Sequence, residues 1–134
     1  MIVRQQRITI IRASKPRSNN INDELQWFGS SLGLFTLRDK DKSSFRIFIE
    51  LFRNARKKEG LTSDELAERL GLTRGTVVHH LKKLIDSGIV VPDRKRYILR
   101  VDSLQALIDE LERDMRQACE DLKEVARDID EKLR

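Results

Sequence analysis

The sequence predicts a mainly α-helical chain with one small β-hairpin, an α+β fold in which two short helices joined by a tight turn precede the hairpin and a long helix follows it. Three observations predict it. Residues 62–91, TSDELAERLGLTRGTVVHHLKKLIDSGIVV, carry two amphipathic helical patterns joined at GLT. Residues 89–100, IVVPDRKRYILR, read as two β segments around a polar turn. From 102 to 134 the chain has neither Gly nor Pro, and apolar residues recur every three or four positions, the pattern of a coiled-coil-like helix.

Taken in chain order, the first segment is ambiguous. RITIIR has the partial alternation of a strand, and SKPRSNN reads as a basic linker. Two readings stay open for residues 1–19: a basic arm in which Arg12, Lys15 and Arg17 follow a minor groove or a phosphate strand, or a strand that pairs elsewhere and carries solvated charge. NNINDELQWFGSSLGLF then suggests a short helix capped by Asn20, with Ile21, Leu25 and Phe28 on one side and Gly29 near its end. Trp27 and Phe28 fit ordinary core or a contact between subunits. SSFRIFIELFRNARKKEG places Phe45, Phe48, Ile49 and Phe52 at i, i+3, i+4 and i+7, a core-facing helix that Asp41 or Ser43 could cap.

The next helix has its start and stop written locally. Thr62 and Ser63 can cap free N–H groups, Glu65 stands three residues after Thr62 as a capping-box partner, and Gly71 follows Leu70 where a left-handed residue ends a helix at little cost. Leu66, Ala67 and Leu70 form its apolar stripe. Thr73 can cap the second helix. On a wheel at roughly 100° per residue, Val77, Leu81 and Leu84 cluster and bury, with Ile85 at the edge. The opposite side collects Gly75, Thr76, His79, Lys82 and Lys83, with no acid among them, so it can meet a polyanion. Arg74 and Thr76 stand in the first turn, where a helix inserted in the major groove presents side chains to base edges; Lys82 and Lys83 lie further along and suit phosphates. Gly75 lets a backbone approach closely.

The hairpin follows, with Pro92 confining its first strand to an edge or an end, and the turn expected at Asp93-Arg94-Lys95. Ile89, Val91, Tyr97 and Leu99 are expected to pack on the helices, leaving Arg94, Lys95, Arg96 and Arg100 for phosphates or a minor groove. Helix, turn, helix and hairpin together make a winged helix-turn-helix. The run LTRGTVVHHLKKLIDSGIVV resembles the recognition-helix segment of arsenic-repressor (ArsR) type winged helix-turn-helix transcriptional regulators of prokaryotes and archaea. In that family a Thr-Val-x-His-His-Leu run is followed by Leu and by Gly-Ile/Leu-Val. Here the match falls on Thr76, Val77, His79, His80, Leu81, Leu84, Gly88, Ile89 and Val90, and the resemblance covers residues 43–101. It implies a dimeric DNA-binding repressor or activator. Metal-sensing members carry paired cysteines in or before the first helix of the motif, whereas this chain has only Cys119, so metal sensing is not implied.

The last segment adds the second strong signal. With Asp102 as an N-cap, Leu104, Ile108, Leu111, Met115, Ala118, Leu122, Val125 and Ile129 form a seam at alternating spacings of three and four, along a helix about 48 Å long at 1.5 Å per residue. A lone helix cannot bury such a seam. A second copy of the chain is the expected partner, because most soluble oligomers are twofold and two recognition helices could then read half-sites about 34 Å apart.

Charge placement sharpens the reading. The net charge is +5, and residues 1–17 carry five basic and no acidic side chains. Residues 73–100 carry seven basic against two acidic, while 101–134 carry six against eleven. The basic segments are the ones suited to nucleic acid. No apolar run approaches the roughly 18 residues of a membrane span, MIVRQQR lacks the apolar stretch of a signal peptide, and a single cysteine excludes an internal disulfide, so a cytoplasmic protein without membrane contact is expected.

Catalysis finds little support. His79 and His80 are adjacent and diverge by roughly 100° on a helix, so they cannot form an i, i+4 metal pair; His80 is expected at the edge of the DNA face, satisfied by a neighbour or a phosphate. Cys119, beside Ala118, reads as a small buried hydrophobe. GLTRGT opens a helix without a Walker lysine. No cofactor, metal or enzyme activity is expected, and no residue pattern identifies a small-molecule effector. Two classes remain: a homodimeric, sequence-specific regulator bound to double-stranded DNA, with Thr73, Arg74, Gly75, Thr76, His79, Lys82, Lys83, Arg94, Lys95 and Arg96 at the interface, or a winged-helix protein-interaction module of a transcription or chromatin complex with little intrinsic DNA binding. The organisation expected is an arm or strand over 1–19, a DNA-binding domain over 20–101 and a dimerisation helix over 102–134.

Overall fold

The computed structural model describes residues 5–35 and 42–134. Five helices and a three-stranded sheet follow in the order α1 (Ile21–Ser31), α2 (Ser43–Asn54), a 3-10 turn (Ala55–Lys57), β1 (Leu61–Thr62), α3 (Ser63–Leu70), α4 (Arg74–Asp86), β2 (Val90–Asp93), β3 (Arg96–Leu99) and α5 (Leu104–Lys132). The mainly helical, winged helix-turn-helix architecture with a long last helix is as the sequence predicts.

The helix ends follow the local chemistry. The Asn20 side chain accepts from the Asn22 N–H at the start of α1. Thr62 and Glu65 form a complete capping box on α3, and Gly71 closes that helix at φ 66°. Thr73 accepts from the Thr76 N–H and opens α4. Two expected caps differ. Ser43 is the first residue of α2, behind a left-handed Lys42 with no side-chain cap, and Asp41 lies outside the described residues. For α5 the cap is Ser103, whose hydroxyl accepts from the Ala106 N–H, rather than Asp102, which stands one residue too early to reach that amide.

The sheet has the order β1-β3-β2, with both pairings antiparallel. β2 and β3 form the hairpin, registered Val90↔Leu99 through Asp93↔Arg96. Because Asp93 pairs with Arg96, the turn is the two residues Arg94-Lys95 rather than three. β2 is an edge strand, where Pro92 removes no needed donor. Val90 and Leu99 point into the core and Val91 is exposed, which reverses the inward role expected of Val91: a pleated strand alternates, and its buried partner is fixed by Ile89 and Val90 entering from α4. The third strand, β1, was not predicted. Its two residues pair Leu61↔Tyr97 and Thr62↔Arg96, and Thr62 doubles as the cap of α3, so no alternation could mark it.

α2 lies at the centre. Phe48, Ile47 and Leu51 are fully buried, and Phe45 is nearly so. Ile49 and Phe52 pack at its margin, and α4, α3 and β3 all contact this helix, so its buried surface extends round to Ile47 and Leu51. Phe28 of α1 stacks on Phe48 with ring centroids 6.3 Å apart. Val77, Leu81 and Leu84 of α4 close the core from one side, Leu66 from α3, and Leu104, Leu107 and Leu111 from the first turns of α5. Full burial of each such side chain is worth about 1.5–3 kcal/mol.

Residues 5–16 form an extended segment without strand pairing. It hangs from helix ends: the Arg7 N–H donates to the Asp86 carbonyl and the Ile11 N–H to the Ser31 carbonyl, at 2.9 and 2.8 Å. Those carbonyls belong to the last turns of α4 and α1, which lack intrahelical partners. The strand reading of RITIIR does not hold among the described residues, since the Arg7 and Ile11 donors meet helix C-termini instead of a sheet edge. Arg12, Lys15 and Arg17 are exposed.

Candidate nucleic-acid interface

The solvent face of α4 is built by its cap and its buried stripe. Thr73 fixes the start of the helix, and Val77, Leu81 and Leu84, none more than 2% exposed, fix its rotation. That rotation leaves Arg74, Gly75, Val78, His79, Lys82 and Lys83 exposed and Thr76 half-buried. Arg74 makes one ion pair, Nε to Asp64 at 3.5 Å, with both side chains about three-quarters exposed. Such a pair contributes about 0–1 kcal/mol, so Arg74 is readily given up to a stronger anion. Among the described residues no carboxylate lies within ion-pair distance of Lys82, Lys83, Arg94 or Lys95.

Thr76 has a more constrained setting than the sequence suggests. Thr73 Oγ1 donates to Thr76 Oγ1 at 2.8 Å. The Thr76 hydroxyl proton remains free for an outward acceptor, and its oxygen is held in place. Gly75 has open space where a Cβ would stand and no left-handed backbone. Nothing among the described residues requires glycine there. His80 bonds through Nδ1 to Ser44 Oγ at the start of α2, so a neighbour engages it. The His79 and His80 rings lie 5.3 Å apart at 66°.

One residue on this face was missed by sequence reasoning. Val78 is 44% exposed beside Lys82; its methyls suit contact with a thymine methyl. Its signal was available, since an apolar side chain off the buried stripe of an otherwise polar face has no role in the core.

The wing divides its cations in two. Arg94 and Lys95 stand at the tip, both left-handed at φ 52° and 65°. Two-residue primed turns favour Asn-Gly because both positions need positive φ, and an L-residue with a larger side chain costs about 1–2 kcal/mol there. Arg96, by contrast, folds back: Nη1 donates to the Gly60 carbonyl at 3.2 Å and pairs with Glu65 at 3.3 Å. The Glu65 carboxyl sits below the usual carboxylate range because the Thr62 backbone N–H and hydroxyl bond to it, with Arg96 and Arg69 adding to the effect. Arg100 is turned away from any wing role. It forks onto Asp114 and Glu110 of α5.

Residues 41–92 match a family model described as a helix-turn-helix domain. The matched span takes in α2, α3, the Gly71-Leu72-Thr73 turn, α4 and the start of the wing, so α3 and α4 are the two helices of a helix-turn-helix unit and α4 is the second. No curated protein and no solved structure matches the chain.

The long helix carries a second exposed surface. Of the seam read from sequence, Leu104 and Leu111 face the protein's own core, joined by Leu107, where the seam as read had Ile108. Ile108, Met115, Ala118, Leu122, Val125 and Ile129 are exposed, Leu122 and Val125 to 69% and 56%. Cys119 is exposed too, contrary to the buried position expected, because α5 leaves the body after Asp114. No helix of the described residues is long and apolar enough to cross a membrane.

Proposed function

We propose that this chain is a sequence-specific, double-stranded DNA-binding transcriptional regulator of the cytoplasm that acts as a homodimer. The observation that carries the reading is the cationic solvent face of α4: the second helix of a helix-turn-helix unit exposes Arg74, Gly75, His79, Lys82 and Lys83, and the two lysines have no acidic partner among the described residues. In this reading Arg74, Thr76, Val78 and His79 meet base edges, Gly75 admits close approach of the helix, and Lys82 and Lys83 meet phosphates. Thr73 anchors the helix N-terminus, whose free N–H groups favour an anion. Arg94 and Lys95 reach backbone or minor groove from the wing, while Arg96 braces it.

The dimer in this reading forms through α5. Met115, Leu122, Val125 and Ile129 are exposed on α5, and a pair of helices would bury eight such side chains at up to about 1.5–3 kcal/mol each. That burial is what would offset an association cost of about 4–15 kcal/mol.

Binding of duplex DNA against salt tests the reading. With about six to ten phosphate contacts, affinity should fall by about 10³–10⁵ between 50 and 200 mM salt, and Lys82→Ala should lower the slope by about one unit on every sequence alike. Failure to bind duplex DNA at 50 mM would leave the protein-interaction module as the better account.

A further inference from the structure

We propose that Arg100, with Asp114 and Gln6, forms the joint that fixes the angle between the DNA-reading body and the tail helix α5, and so selects the half-site spacing that the dimer accepts. The inference rests on the dimeric reading above and deepens it.

The joint sits where α5 leaves the body. Leu104, Leu107 and Leu111 pack on the core, Asp114 is the last partly buried residue, and every residue from Met115 onward is exposed. Three apolar side chains on one stripe hold a helix down but leave it free to roll and tilt. The polar contacts remove that freedom. Arg100 meets both oxygens of Asp114, with Nη2 to Oδ1 at 3.1 Å, and Nη2 also donates to Glu110 at 3.2 Å, so one guanidinium clamps two successive turns of α5. A bidentate fork of this kind fixes orientation as well as distance.

The same carboxylate ties the tail to the recognition helix. Gln6 Nε2 donates to Asp114 Oδ2 at 2.9 Å and to the Ser87 carbonyl, the cap of α4, at 3.1 Å. The next residue, Arg7, donates its N–H to the Asp86 carbonyl. Arg100 itself follows β3 and donates its N–H to the Ile89 carbonyl. Recognition helix, wing and tail therefore meet at one set of contacts.

The lever arm makes this matter. Residues 115–132 project about 27 Å at 1.5 Å per residue, so a tilt of about 10° at the joint moves the far end by about 5 Å. DNA rises about 3.4 Å per base pair, and a loose joint would accept operators that differ by a base pair or more. Arg100 is thus a positioning residue that touches no DNA.

The test is a set of duplexes carrying two half-sites whose separation varies one base pair at a time, bound at fixed salt by the full chain and by Arg100→Met and Asp114→Asn. Light scattering gives the oligomeric state of each, and a single half-site gives the affinity of the body alone. A dimeric wild type should prefer one spacing by tenfold or more over its one-base-pair neighbours. Both variants should remain dimeric, bind the single half-site within twofold of wild type and reduce that preference to about threefold or less. Variants that stay folded and dimeric with the wild-type spacing profile would overturn the joint while leaving the dimeric regulator standing. A monomeric wild type would overturn both. Should Arg100→Met fail to fold, Asp114→Asn and Gln6→Ala decide the matter alone.

Discussion

Helices α4 and α5 start alike and end in opposite conditions. Each opens on a hydroxyl cap, Thr73 or Ser103, and each has an apolar stripe and a charged remainder. In α4 the stripe is sealed by the same chain, with Val77, Leu81 and Leu84 between 0 and 2% exposed, and the charged side is left for use. In α5 only Leu104, Leu107 and Leu111 find cover, and the stripe continues into solvent through Met115, Leu122, Val125 and Ile129. Amphipathic spacing states that a face will be covered; whether its own chain or another covers it depends on where the body ends. The largest effect should therefore come from the tail: Leu122→Asp should turn a dimer into a monomer and lower affinity for a two-half-site operator by about 10²–10⁴, the gain lost with a tethered second module. Gel filtration with light scattering checks the first and titration the second, and the thermal unfolding of the body should not move. A Leu122→Asp protein that remains dimeric would place the interface elsewhere.

The matching change on α4 acts on stability instead. Leu81 is 1% exposed on a helix that contacts α2, α3 and β2, so Leu81→Ala should cost about 2–5 kcal/mol in denaturant unfolding through lost burial and a cavity. Oligomeric state should be retained below the unfolding transition. An equal loss of dimer and fold would show that α5 and the body unfold as one unit and blur the distinction between the two helices.

The legible parts of the molecule were those with short-range causes. Thr62 with Glu65, Gly71, Thr73 and the Val77-Leu81-Leu84 stripe are each decided within a few residues, and all stand as the sequence indicates. Parts decided by distant partners were harder. Leu107, three residues after Leu104 and four before Leu111, fits the spacing as well as Ile108 does, and it is the one buried because the body is within reach of that turn. Ile47 and Leu51 are buried because α2 is surrounded, which its own spacing does not state. Arg100 and Arg96 look like free wing cations in sequence, yet one is held by Asp114 and Glu110 and the other by Gly60 and Glu65. Positive charge in a basic segment is legible; its availability is not.

Between the two helices stands the Arg100–Asp114 contact, and pH sharpens its role. The Arg100 fork holds the Asp114 carboxyl below its ordinary value, helped by Gln6. A carboxylate whose folded value is depressed contributes stability in full above its unfolded value near 3.9 and loses it as pH falls through the lower folded value. Charge-assisted hydrogen bonds contribute about 1.5–3 kcal/mol, so wild type should lose up to that much more than Asp114→Asn does on acidification through this range. Parallel acid unfolding curves for the two proteins would mean that the joint adds no stability.

The wing offers a smaller change of opposite sign. Arg94 and Lys95 hold left-handed conformations that Asn-Gly would adopt without strain. Replacing the pair by Asn-Gly should stabilise the fold by about 1–2 kcal/mol and weaken DNA binding uniformly, with a shallower salt dependence. A more stable protein with unchanged DNA affinity would remove the wing tip from the interface.

The smallest effect separates what α4 does for the fold from what it does for DNA. Gly75 is exposed and helical, and among the described residues no neighbour stands where a Cβ would strike it. Alanine at such a site favours a helix by about 0.5–1 kcal/mol, so Gly75→Ala should raise stability by that amount. In the proposed reading, the body that a methyl group there would meet is the groove that α4 enters. The same substitution should accordingly lower DNA affinity, through a methyl pressed against the duplex, while the salt slope stays unchanged because no cation is removed. Stability and affinity rising together would show that no surface approaches this turn closely, and the first turn of α4 would lose its place against the bases.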